Sequence, residues 1–193
     1  GAPPDAAVQE EEQERRQRGD DGAPVVTAVH ERHNKARELE RESIRYSTNH
    51  SGELESALLA VIDECVFLDN NKDTETTLLI FTKAFENFEN YLELVELAGD
   101  LLADQSYEGI YQLASFHPDY CFADAEADDA ANYTNRSPYP MLHLIREASM
   151  AQALEHYPEP EKIPERNIEY SRDLGLDEMK RQLDACCKLG KHE

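Results

Sequence analysis

The chain has 193 residues, 40% of them hydrophobic and 31% charged, and a net charge of −22. That length holds one domain with a sizeable core plus an appendage, and the acidity argues against nucleic acid and anionic lipid as partners, because both would be repelled. No apolar run approaches the roughly 20 residues of a membrane-crossing helix, so no transmembrane segment is expected.

Residues 1–24 (GAPPDAAVQEEEQERRQRGDDGAP) are low in complexity, with almost no large apolar side chains. Such a stretch cannot bury enough surface to offset its ordering entropy alone, and it lacks the hydrophobic centre of a signal peptide. Residues 26–42 are highly charged and helix-compatible, with Val26, Val29 and Leu39 as the apolar positions. Residues 1–42 therefore read as an acidic low-complexity tail and charged helix, an extension that binds protein partners. Residues 43–193 read as an α/β domain, and they hold most of the acidity, with 30 acids and 12 bases.

Within that domain Ser43–Thr48 alternates like a short strand. Leu54, Leu58, Val61, Ile62, Cys65 and Leu68 recur at helical spacing, and Asp69-Asn70-Asn71 ends that helix. Thr76–Phe81 (TTLLIF) suits a buried strand. Phe85, Phe88, Leu92, Val95 and Leu102 form the next helical stripe, from about Ala84. Gly109–Phe116 is a third strand, followed by a long polar loop over 117–138. The pattern then predicts a helix over Tyr139–Glu155, with Pro140 tolerated in its first turn. Two short helices follow, Pro164–Leu174 and Asp177–Leu189, stopped by Gly175 and Gly190. The expected fold is α/β: a small three- or four-stranded mixed or parallel sheet packed with helices, plus the extended N-terminal tail.

Four cysteines, Cys65, Cys121, Cys186 and Cys187, show no metal-type spacing. Reduced thiols in an intracellular compartment fit them best. The sequons at Asn49, Asn132 and Asn135 are read as accidental in a protein that is not secreted. Mitochondrion and plastid are the candidate organelles.

Ligands of such sheets bind beyond the carboxyl ends of strands, and the 117–138 loop leaves one of those ends. The stretch Ser115–Ser149 is therefore the expected site. Residues 84–161 hold 16 acids but only two basic side chains, Arg136 and Arg146. Either could clamp an anion, since guanidinium pairs bidentately with carboxylate or phosphate. Each could instead pair with a neighbouring acid. Asn132, Asn135 and Ser137 are further candidate ligand-binding residues, and Ser137 is equally a candidate helix cap. His117 and His143 are the candidate proton carriers. On a helix, His143 would share one face with Arg146 and Glu147, making Glu147 a third catalytic candidate. The acids at 119 and 124–129 lack the glycine and spacing of a hard-cation loop, so no metal is expected. There is no G-x-G-x-x-G, P-loop or G-x-S-x-G pattern, and no cofactor is expected.

The motifs TTLLI (76–80), SFHP (115–118), NYTNRSPYPMLHL (132–144) and IPERNI (163–168) resemble a mainly bacterial family known as domain of unknown function 1415. The resemblance covers about residues 43 to 175 and implies a fold but no reaction. Family members open with a helix leading to a cysteine-containing LNLCPF-like motif, and PVVTAVHERHNKARELE stands in its place here. They also usually carry a glutamine near the position of Cys121. The resemblance thus implies an enzyme-like fold that has lost a cysteine nucleophile or ligand.

The expected function is a non-catalytic accessory or structural subunit of a larger protein complex, in the mitochondrion or a plastid, joined to other subunits through residues 1–42. Two readings stay open beside it. One is an enzyme acting on a small anionic substrate through Arg136, Arg146 and a histidine. The other is a module that binds a small molecule or ion.

Overall fold

The computed structural model describes residues 43–155 and 157–189. The extension over residues 1–42 lies outside them, as does Gly190. The first strand, β1 (Ile44–Asn49), leads into helix α1 (Leu54–Asn70), then β2 (Thr76–Phe81) and helix α2 (Phe88–Asp104). Strand β3 (Tyr111–Phe116) follows, then the polar loop, then β4 (Met141–Arg146) and helix α3 (Glu147–Leu154). Helices α4 (Ile163–Leu174) and α5 (Leu176–Leu189) end the described chain. The four strands form one mixed sheet in the order β1-β2-β4-β3. β1 and β2 are parallel, while β4 runs antiparallel to both β2 and β3. The fold is α/β, as the alternation of elements implies.

One element differs from expectation. The predicted helix over Tyr139–Glu155 is a central strand for its first half and a helix only from Glu147. MLHLIR carries apolar side chains on both faces, because a strand between two neighbours is buried on both sides. Its period is therefore masked, and Met141, Leu144 and Ile145 fit a helical spacing equally well. Ser137 caps no helix; its hydroxyl donates to Tyr139 O across 2.6 Å.

Alternation within the strands sorts the side chains. Leu79 and Phe81 of β2 and Leu142 and Leu144 of β4 face α1 and α2, closing a core with Val61, Leu68, Tyr91 and Leu94. Tyr91 reaches furthest. Its hydroxyl donates to Met141 O at 2.8 Å and accepts from Phe116 N at 2.9 Å, bridging β3 and β4 where their ladder ends. Burial pushes its pKa far upward, so the hydroxyl stays protonated and keeps donating. The opposite face of the sheet presents Tyr46, Leu78, Ile80, Met141, His143 and Phe116, as the strand registers require.

α2 starts at Phe88, later than its apolar stripe suggests, because Asn87 caps it by accepting from Asn90 N. The preceding turn holds Phe85 at φ 62°, a left-handed conformation that costs energy for a residue with a Cβ. α4 ends at Gly175, whose φ of 83° only glycine adopts without strain.

Candidate functional site

Strand β3 delivers its chain to the polar loop at His117, which is fully buried. Its Nε2 lies 2.9 Å from Phe85 O, and its Nδ1 accepts from Asp119 N at 3.0 Å. The two contacts together place the ring proton on Nε2. The ring packs against Phe88 and Tyr91 at centroid distances of 5.1 and 5.0 Å. His117 thus pins the strained Phe85 turn to the start of the loop.

The loop is irregular in sequence but closed by side chains. A 3-10 turn spans Ala130–Thr134, started by Asp129, whose carboxylate accepts from Ala131 N. Asn132 is fully buried; its Oδ1 accepts from Phe122 N and its Nδ2 donates to Glu126 O. Asn135 donates from Nδ2 to Ser115 O and accepts at Oδ1 from Thr134 Oγ1, while its backbone carbonyl accepts from His117 N. Arg136 donates from Nε to Tyr120 O at 3.0 Å and from Nη2 to Ala127 O at 3.1 Å, and its guanidinium lies over the Tyr133 ring. Among the described residues no carboxylate pairs with it.

Arg146 stands at the other end of the sheet. Register pairs Met141 with Phe116, beside the loop, and Arg146 with Tyr111, five strand residues away. That is roughly 17 Å along an antiparallel strand, so the two arginines do not converge. Arg146 donates from Nη2 to Leu68 O at 2.6 Å and to Asn71 O and Thr74 O, from Nε to Thr74 O, and from Nη1 to Tyr111 Oη. Tyr111 in turn donates to Asp69 Oδ1 at 2.7 Å. Burial and then this bond to Asp69 hold the phenol well above its ordinary pKa.

His143 is on β4, not on a helix. Its Nε2 lies 2.6 Å from Thr76 Oγ1, and the same hydroxyl donates to Leu144 O. Glu147 is the first residue of α3. Roughly 10 Å of extended strand from His143 to Arg146 separates the imidazole from Glu147, so the helical triad of His143, Arg146 and Glu147 is not assembled. What the sequence missed is the kind of partner these side chains take. Backbone carbonyls distant in the chain leave no mark on a local motif. Among the described residues no three His, Cys, Asp or Glu side chains gather as a metal site would require, and no helix is long and apolar enough to cross a membrane.

The loop is also tied to α4. Arg172 donates to both carboxylate oxygens of Asp129, at 2.6 and 3.1 Å. The Arg172 hydrogen bonds hold the Asp129 carboxyl below its ordinary pKa, helped by the Ala131 N–H. Folding therefore favours the ionised form. The resulting stability is present above the unfolded-chain value, about pH 4, and is lost as pH falls through the lower folded value. Asp129→Asn is expected to shrink the drop in urea midpoint between about pH 5 and about pH 3. An unchanged drop would mean that the pair contributes nothing.

The family model described as "Protein of unknown function (DUF1415)" matches residues 35–181. No curated protein and no solved structure matches the chain.

Proposed function

The chain belongs to the DUF1415 family, and we propose that it serves there as a non-catalytic accessory or structural subunit of a larger protein complex, within the mitochondrion or a plastid. One observation carries this reading. Apart from Glu147, every catalytic or ligand-binding candidate named from the sequence in Ser115–Ser149 also braces the fold through its side chain. His117, Asn132, Asn135, Ser137, Arg136 and Arg146 each bond to main-chain atoms. His143 meets the Thr76 hydroxyl. A proton carrier must reach substrate at hydrogen-bond distance, and a fully buried imidazole with both nitrogens engaged does not.

The helix surface supports a partner. Leu59 and Val66, seven residues apart on one face of α1, are 58% and 46% exposed, with Ile62 between them. Two exposed apolar side chains flanking the half-buried Ile62, beside acidic Glu55 and Asp63, suit a basic, amphipathic protein surface. The extension over residues 1–42 supplies the second attachment.

The test is the native mass of the full chain, tagged and recovered from its own cells. Migration within an assembly far above 22 kDa, reduced to monomer by deletion of residues 1–42 or by Leu59→Asp with Val66→Asp, is the expected result. An isolated monomer of 22.0 kDa that turns over a substrate overturns the proposal.

A further inference from the structure

The sheet face turned away from α1 and α2 is covered only in part. Leu78, Phe116 and Met141 project from it on three neighbouring strands. Above them lies α5, a helix on which no described side chain is buried. Met179, Leu183 and Cys186 occur at i, i+4 and i+7, one face of that helix, and all three line the space beneath it. The result is a groove of about 280 Å³ between sheet and helix. That is near the lower end of the roughly 300–1,000 Å³ of ordinary small-molecule sites.

Apolar side chains dominate the groove lining, and Arg136 is the one charged residue among those that line it. Arg136 and Ser137 line it together with the Tyr133 ring. The bonds from Nε and Nη2 of Arg136 to two loop carbonyls fix the plane of the guanidinium. Among the described residues Nη1 has no partner and no acid neutralises the charge. A fixed guanidinium with donors to spare recognises a carboxylate. The walls ask for methylenes.

We propose that this groove binds a small amphiphilic carboxylate, with its apolar chain between the sheet and α5 and its head group on Arg136. Binding requires no turnover, so the site can exist in a subunit without catalytic activity. The ligand would also clamp α5, whose main contacts among the described residues are with α4 and the Ala130–Thr134 turn.

Two cysteines provide the readout. Cys186 lines the groove; Cys187 is next to it, about 100° around the helix. Both are exposed thiols, whereas burial pushes Cys65 up to about 12 and leaves it unreactive. The full chain is treated with a thiol-alkylating reagent, with and without decanoate, and modification is followed residue by residue by mass spectrometry. Decanoate is expected to slow labelling of Cys186 about fivefold or more while Cys187 is unaffected, and to raise the melting temperature. Decanol is expected to need about tenfold higher concentration, the cost of one lost charged contact. Arg136→Met should weaken decanoate to the level of decanol. Because Arg136 also braces the loop, Leu183→Glu on the half-exposed helix face provides an independent variant, expected to abolish protection without unfolding the chain. No protection of Cys186, equal protection by decanol, or full protection in Leu183→Glu each overturns the proposal.

Discussion

Arg146→Met is expected to lower the free energy of unfolding by about 2–3 kcal/mol, read from the urea midpoint, as a half-buried charged hydrogen-bonding hub is removed. The reason lies in α1. That helix carries no basic residue in its last turn, and its final carbonyls point away from the chain that made them. Arg146 reaches them from β4, 78 residues later in sequence, and covers Leu68 O and Asn71 O with one guanidinium. The positive charge also sits at the negative end of the helix dipole. Its remaining donors hold Thr74 O and Tyr111 Oη, so four acceptors from the helix end, the α1–β2 turn and β3 each lose a charged donor in the methionine variant, and Leu68 O and Asn71 O keep only a backbone N–H.

Arg146→Lys is expected to recover only part of the loss. An ammonium is a point charge and cannot span carbonyls that a planar fork meets together. The two roles that sequence allows for this arginine separate here. A ligand-binding arginine on a surface would leave the midpoint nearly unchanged and lose only affinity. A brace loses stability whether or not any ligand is present.

The elements that the sequence made legible are those buried on one side. α1 and α2 each show an apolar stripe against an acidic face, and β1 and β2 end at polar turns. β4 was illegible for the opposite reason. Its burial on both faces removed the period that distinguishes strand from helix, and Pro140 is compatible with either. At the site, composition alone marked Arg136 and Arg146, because basic residues are scarce around them. It could not say that strand β4 holds them at opposite ends, since that follows from a pairing between Tyr111 and Arg146 that no local motif encodes. The groove under α5 was equally hidden. It is made by three strands and a helix that begins 30 residues beyond the last of them, and only the side-chain spacing of Met179, Leu183 and Cys186 foreshadows it.

His117→Ala is expected to cost about 3–5 kcal/mol, the sum of a cavity among aromatic rings and two backbone groups left without partners. The contribution is more than packing. Phe85 is held in a left-handed conformation that a phenylalanine does not choose, and its carbonyl is fixed by the His117 Nε2–H. Loss of that bond frees the turn between β2 and α2, and with it the Phe85 ring that meets Phe81 at 5.2 Å. The Asp119 amide, which donates to Nδ1, should then exchange its hydrogen far faster than in the parent chain. His117→Gln can still donate toward Phe85 O, so it should retain more stability than alanine and slower exchange in the β2–α2 turn. A catalytic histidine predicts the reverse pattern: both variants equally inactive, with stability and Asp119 exchange unchanged. Because the imidazole is fully buried with both nitrogens engaged, the graded stability loss is the outcome that its geometry requires.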